Sequence, residues 1–94
     1  MEDYTLADAR STLMALQDMA PDGLRLPLSE DDLAAVQAAG VEVKSHVQGL
    51  LDFPTEIDGV PAYWCWQVGE GDIAWWHPRD TGFAGRRPIE AWRR

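Results

Sequence analysis

Apolar residues recur at helical spacing over the first forty positions and at the alternate spacing of strands after that. Leu6, Ala9, Leu13 and Leu16 share one face of a helix, with Met19 close to the same stripe. Thr-Leu-Ala-Asp at 5–8 opens it as a short-armed capping box, and Pro-Asp-Gly after Ala20 stops it, so a first helix is predicted over about 5–20. Residues 21–28 read as a connection. Ser29 caps a second helix over about 29–39, with three acids in the first turn where the helix dipole favours them and Gly40 as its stop. Its stripe is thin, Leu33 and Val36, so both helices are expected to pack on another layer.

That layer is a sheet. Val-Glu-Val-Lys at 41–44 alternates, and 50–57, 60–68 and 73–77 read as strands separated by Asp58-Gly59 and by Gly-Glu-Gly-Asp at 69–72. A two-residue Asp-Gly loop sets Ile57 opposite Val60, Thr55 opposite Ala62, Phe53 opposite Trp64 and Leu51 opposite Trp66, all on the core face. The second face then carries Leu50, Asp52, Pro54 and Glu56 against Gln67, Cys65, Tyr63 and Pro61, with Asp52 across from Cys65. In the next hairpin Val68 opposite Ile73 sets Trp75 beside Trp66 and His77 beside Trp64; a loop one residue shorter shifts those pairs. The predicted fold is α+β, two N-terminal helices on a three- to four-stranded antiparallel meander over about 41–77, in one domain spanning 1–94. Residues 78–94 form a Gly/Arg loop and tail.

Ninety-four residues bury only roughly 60 to 65% of their unfolded surface, so five tryptophans carry much of the core or a contact face. Alternation turns Trp64, Trp66 and Trp75 inward and leaves Trp76 and Trp92 for contacts, with Trp76 and Tyr63 offering a self-association surface. The lone cysteine, Cys65, excludes an internal disulfide and a cysteine-rich zinc module, and no apolar run approaches a membrane span of about 18 residues. A soluble, cytoplasmic protein is expected. The net charge of -8 is uneven: residues 1–78 hold 14 acids against three cations, whereas 79–94 hold five arginines against Asp80 and Glu90. An acidic body disfavours nucleic acid, whose binding rests on phosphate neutralisation. The basic end suits a small anion or the acidic helices of a second copy.

From Val41 onward the pieces Val-Glu-Val-Lys, Gly-Leu-Leu-Asp-Phe-Pro at 49–54, Asp-Gly at 58–59, Cys-Trp at 65–66, Gly-Glu at 69–70, Trp-His at 76–77 and Gly-Phe-Ala-Gly-Arg at 82–86 follow one another in order. Together they resemble the bacterial domain-of-unknown-function family 2203, mainly over 41–88. Tyr-Thr-Leu-Ala-Asp-Ala at 4–9 looks like that family's opening, although the helical region here is shorter than the family's. The resemblance implies no activity, and it gives no residue a catalytic role.

The chemistry concentrates in Trp-His-Pro-Arg-Asp-Thr-Gly-Phe-Ala-Gly-Arg-Arg-Pro-Ile, residues 76–89. His77 with Asp80 three residues on is a candidate histidine–carboxylate pair, against the plainer reading of a histidine packed among tryptophans and satisfied by Asp80 or a carbonyl. Cys65 beside Asp52 lacks the positive surroundings of a reactive thiolate and reads as a small core residue. His77, Asp80, Glu70 and Asp52 have metal-binding side chains but no metal-site spacing, so neither metal nor cofactor is expected. Gly82, Gly85, Arg86 and Arg87 can cradle an anion; the plainer reading is a clasp in which the glycines turn the chain, Phe83 plugs the core and Arg86 pairs with Asp52, Glu70 or Asp80.

The leading expectation is a small binding or interaction module without catalytic activity, with Arg86, Arg87, Gly82, Gly85, Asp52 and Tyr63 as ligand-binding candidates. A homodimer would cover the second face, and a small anion or a protein is the expected partner. The alternative is an enzyme or metal-dependent hydrolase acting on a small anion, with His77 as acid–base group, Asp80 orienting it, Glu70 as second carboxylate and Arg86 binding the substrate.

Overall fold

Both expected caps form. A computed structural model describes residues 3–20 and 23–92. Pro21 and Asp22 of the expected helix stop, Arg93, Arg94 and the side chain of Trp92 lie outside the described residues. In helix α1 (Leu6–Met19) the Asp8 amide donates to the Thr5 hydroxyl at 3.1 Å, and in α2 (Glu30–Ala38) the Asp32 amide donates to Ser29 at 3.1 Å. Leu6, Ala9, Leu13 and Leu16 are the buried stripe of α1, while Met19 is exposed. Gly40 follows α2 at φ 80°, the left-handed conformation that ends a helix without strain only for glycine.

Among the described residues the sheet has five strands rather than three or four, all antiparallel and in chain order: β1 (Glu42–Ser45), β2 (Leu50–Ile57), β3 (Val60–Gln67), β4 (Trp75–Pro78) and β5 (Arg87–Pro88). The fifth comes from the Arg87-Pro88 pair of the segment read as tail, which returns to β4 and continues into a short helix, α3 (Ile89–Trp92). One hydrophobic cluster contains Leu13 and Leu16 of α1, Val36 of α2, and Leu51, Phe53, Ile57, Trp64, Trp66 and Trp76 of the sheet. The structure therefore shows an α+β fold with a shared buried core.

Register decides what the other face carries. The β2–β3 hairpin pairs as expected, Ile57 with Val60 through Leu51 with Trp66, and Asp52 faces Cys65. The β3–β4 pairing is displaced by one residue from the expected one: Trp64 faces Trp76, Tyr63 faces His77 and Cys65 faces Trp75. A one-residue slip exchanges the two faces of a strand. Trp76, expected outside, joins the core, and Trp75 and His77, expected inside, lie on the second face.

The cause is local. β3 stops at Gln67 because Glu70 turns back on it, its carboxylate accepting from the Gln67 amide at 2.7 Å and its own amide donating to the Gln67 carbonyl at 3.0 Å. The Trp66 indole also donates to the Gly71 carbonyl at 2.9 Å. Residues 68–74 thus form a wide loop held by side chains, with Ile73 buried but outside the strand.

Candidate functional site: a pocket on the second sheet face

The alternate positions of three central strands bring Asp52, Cys65 and His77 together on the second face. All three are buried, at 2%, 2% and 1% exposure. His77 Nδ1 lies 2.7 Å from the Pro78 carbonyl and Nε2 lies 3.0 Å from Asp52 Oδ2. The carbonyl can only accept, so Nδ1 carries a proton, and the Nε2–Oδ2 contact needs one further proton shared between the two residues. The Cys65 thiol donates to the same carboxylate. Burial pushes Asp52 above its ordinary 3.8, with the His77 charge and the bonds from Cys65 and His77 pulling the other way. Burial and then the Asp52 charge push the Cys65 thiol up to about 12, so it is no nucleophile at neutral pH.

These three groups form the floor of a cavity of about 210 Å³. Its walls are Leu50, the Tyr63 ring and Phe83, and Lys44, Arg79 and Gly82 stand at its rim. Lys44 arrives there because the β1 register shifts between Val43 and Ser45, leaving it as the extra residue, a device that re-aims side chains. Its ammonium lies 4.6 Å from the Tyr63 ring centroid and 2.7 Å from Glu42 Oε1, while the Tyr63 hydroxyl donates to Glu42 Oε2 at 2.8 Å. Burial alone would raise Glu42, but the bonds from Lys44 and Tyr63 outweigh it and hold the carboxyl below its usual value. Burial, followed by the Glu42 bond and charge, raises Tyr63. For Lys44 burial acts downward and Glu42 overrides it, so the ammonium is held above its usual range.

The segment 79–87 closes the face from the other side. Arg79 donates to the carbonyls of Ala62 and Thr55 at 3.3 and 3.2 Å and sets its guanidinium 5.1 Å from the Tyr63 ring. Arg86 donates to both carboxylate oxygens of Glu70, at 2.9 and 2.8 Å, with its guanidinium over Trp75 and Phe83 at 4.7 and 4.5 Å. The clasp therefore forms with Glu70, one of the three partners expected for Arg86.

His77 is held by Asp52 and a carbonyl rather than by Asp80, which lies exposed in the turn after β4. The four-residue catalytic set does not assemble, because Glu70 and Arg86 are bonded to each other and His77 to a different acid. Phe83 does not plug the core: it is 41% exposed and walls the pocket. Tyr63 and Trp76 are buried, so neither is the exposed aromatic imagined for self-association. Arg87 lies over Trp76, opposite in alternation to Arg86, and does not line the pocket. Gly85 packs on Thr81 in the turn, whereas Gly82, Asp52 and Tyr63 do line the pocket.

Sequence reasoning missed Lys44, Glu42 and Arg79. Lys44 and Glu42 belong to the Val-Glu-Val-Lys alternation, and pairing that strand with β2 would have found Glu42 beside Asp52. A larger depression of about 550 Å³ lies between Tyr4, Ser11 and Gly40, but its described lining carries two acids, Asp3 and Asp8, and no cation, imidazole or thiol, so the clustered chemistry lies in the smaller pocket.

Fold and site together define an α+β domain whose antiparallel sheet buries one face in a core and builds a polar pocket on the other. The chain belongs to the family described as Uncharacterized conserved protein (DUF2203), whose model matches residues 24–89, a span that includes every residue of the pocket. The resemblance read from Val41 onward is thereby confirmed, while the opening at 4–9 lies outside the matched span. Neither the curated proteins nor the solved structures contain a match to this chain. No helix among the described residues is long and apolar enough to cross a membrane.

Proposed function

We propose that this protein is a small binding module without catalytic chemistry of its own, and that it takes a small anion with an apolar body in the second-face pocket. The observation that carries the reading is the pocket's lining: two cations at the rim, Lys44 and Arg79, stand above the apolar surfaces of Leu50, Tyr63 and Phe83. A carboxylate or phosphate would meet Lys44 and the Arg79 guanidinium, while the apolar part lies against the ring and Leu50. Binding pockets for drug-sized ligands run from about 300 Å³ upward, so a cavity of about 210 Å³ suits something smaller. A neutral His77–Asp52 unit at the floor offers no net charge to repel it.

The test is a titration of metal-free protein with inorganic phosphate, acetate and benzoate, followed by two-dimensional NMR of backbone amides. Benzoate is expected to shift Lys44, Tyr63, Gly82 and Phe83 together, and Lys44→Ala to weaken that response about tenfold, as loss of one charge-assisted contact of roughly 1.5 kcal/mol would. Shifts confined to Arg87 and the chain end, or none, would contradict the reading.

A further inference from the structure

We propose that Asp52, Cys65 and His77 form a binding site for a first-row divalent transition ion, zinc foremost. The inference goes beyond the anion pocket and does not rest on it. One carboxylate oxygen, one sulfur and one imidazole nitrogen lie within 4.8 Å of one another, all buried. Bonds of 2.0 to 2.3 Å to a tetrahedral ion place its ligands about 3.3 to 3.7 Å apart, and the Nε2–Oδ2 separation is already 3.0 Å. The Nε2–Oδ2 pair would therefore open by about 0.3 Å, and separations of up to 4.8 Å would close by about 1 Å, within the reach of side-chain rotation.

Three further features favour an ion over an inert polar cluster. The ligands sit on β2, β3 and β4, adjacent strands that fix their directions before any ion arrives. The ring nitrogen left over, Nδ1, donates to the Pro78 carbonyl at 2.7 Å, the outer contact that metal-binding histidines use to aim their other nitrogen. The three donors also floor a cavity, which leaves a fourth position for water or a small ligand, as in open zinc sites.

Charge balance agrees. Without an ion the cluster holds a thiol proton and the proton shared by His77 and Asp52, and is neutral overall. A divalent ion displaces those two protons, leaving a thiolate, a carboxylate and a neutral imidazole, so the site stays neutral and buried. Sulfur and nitrogen donors select zinc, cobalt or nickel over magnesium and calcium, which prefer oxygen alone.

The full chain, stripped with a chelator, is loaded with zinc, passed through gel filtration and assayed for metal by mass spectrometry. One zinc per chain is expected, with affinity in a chelator competition at least about tenfold lower for both Cys65→Ala and Asp52→Asn, and unchanged for His46→Gln. Cobalt loading is expected to give a thiolate-to-metal charge-transfer band and tetrahedral d–d absorption. Retention well below one ion per chain, zinc affinity of the Cys65 and Asp52 variants equal to that of the unaltered chain, or a cobalt spectrum without the thiolate band would overturn the proposal. Should a variant fail to fold by near-ultraviolet circular dichroism, the cobalt spectrum of the unaltered chain decides alone. Phosphate and benzoate titrations of metal-free protein are scored separately, so failure of the anion reading and failure of the metal site give different results.

Discussion

The His77–Asp52 contact is the residue-scale feature with the largest consequence for stability. Removing Asp52 leaves Nε2 of a 1%-exposed ring without its partner, and removing His77 strands the carboxylate. Each change is expected to cost roughly 2 to 4 kcal/mol in urea unfolding, whereas exposed His46→Ala should stay within about 0.5 kcal/mol. Cys65 supplies a second expectation. With its thiol raised to about 12, the native protein should resist iodoacetamide at neutral pH and react once unfolded, as followed by intact-mass spectrometry. The sign of the pH effect follows from the folded pKa lying above the ordinary 9.0: this contribution is full below pH 9 and is lost as pH rises toward 12. A Cys65→Ala variant should therefore lose less stability than the natural chain across that interval. The sequence already placed Asp52 across from Cys65, since one Asp-Gly loop fixes it. His77's partner could not be read there, because a histidine and an aspartate three apart look like a pair until the strand register is known.

At the scale of elements, turns carry the information. Asp58 and Gly59 both have positive φ, 52° and 80°, as a two-residue hairpin requires. That signal is local in sequence, so the β2–β3 register was legible. Gly59→Ala should cost about 1 kcal/mol in thermal or urea unfolding without moving the register. The Gly69–Asp72 stretch resembles an equally tight loop, yet its geometry is set by the Glu70 carboxylate, the Trp66 indole and Arg86, residues that meet only in the fold. For that reason the β3–β4 register and the inward tryptophan were misread. β5 was illegible for a related reason: two residues, Arg87 and Pro88, carry no periodicity. In the clasp itself, a Cβ on Gly85 would collide with the Thr81 side chain. Gly85→Ala is accordingly expected to destabilise by about 1 to 3 kcal/mol, and to expose Trp75 to solvent, seen as a red shift in tryptophan emission.

For the whole molecule, the two faces of one sheet divide the work. The helix-rich first half and the core face were legible from periodicity alone, because apolar spacing is set by burial. The second face was not, because its centre is buried by polar contacts and by the 79–87 segment, which have no periodic signature. A single chain already leaves Tyr63 and Cys65 only 7% and 2% exposed, so a second copy would add area at the rim around Phe83 rather than at the centre. A homodimer through that rim would close the pocket. Sedimentation over a concentration range separates the two uses: a 10.5 kDa particle keeps the pocket open, whereas a dimer that excludes benzoate assigns the surface to self-association. The buried His77–Asp52 unit is tested most directly by NMR of the two histidine rings, with His46 as the exposed internal reference. A slowly exchanging Nδ1 proton on His77 is expected, with nuclear Overhauser contacts from its ring to Tyr63, whose centroid lies 5.4 Å away. A His77 ring proton exchanging as fast as that of His46, or contacts to Trp64 in place of Tyr63, would contradict both the register and the buried unit built on it.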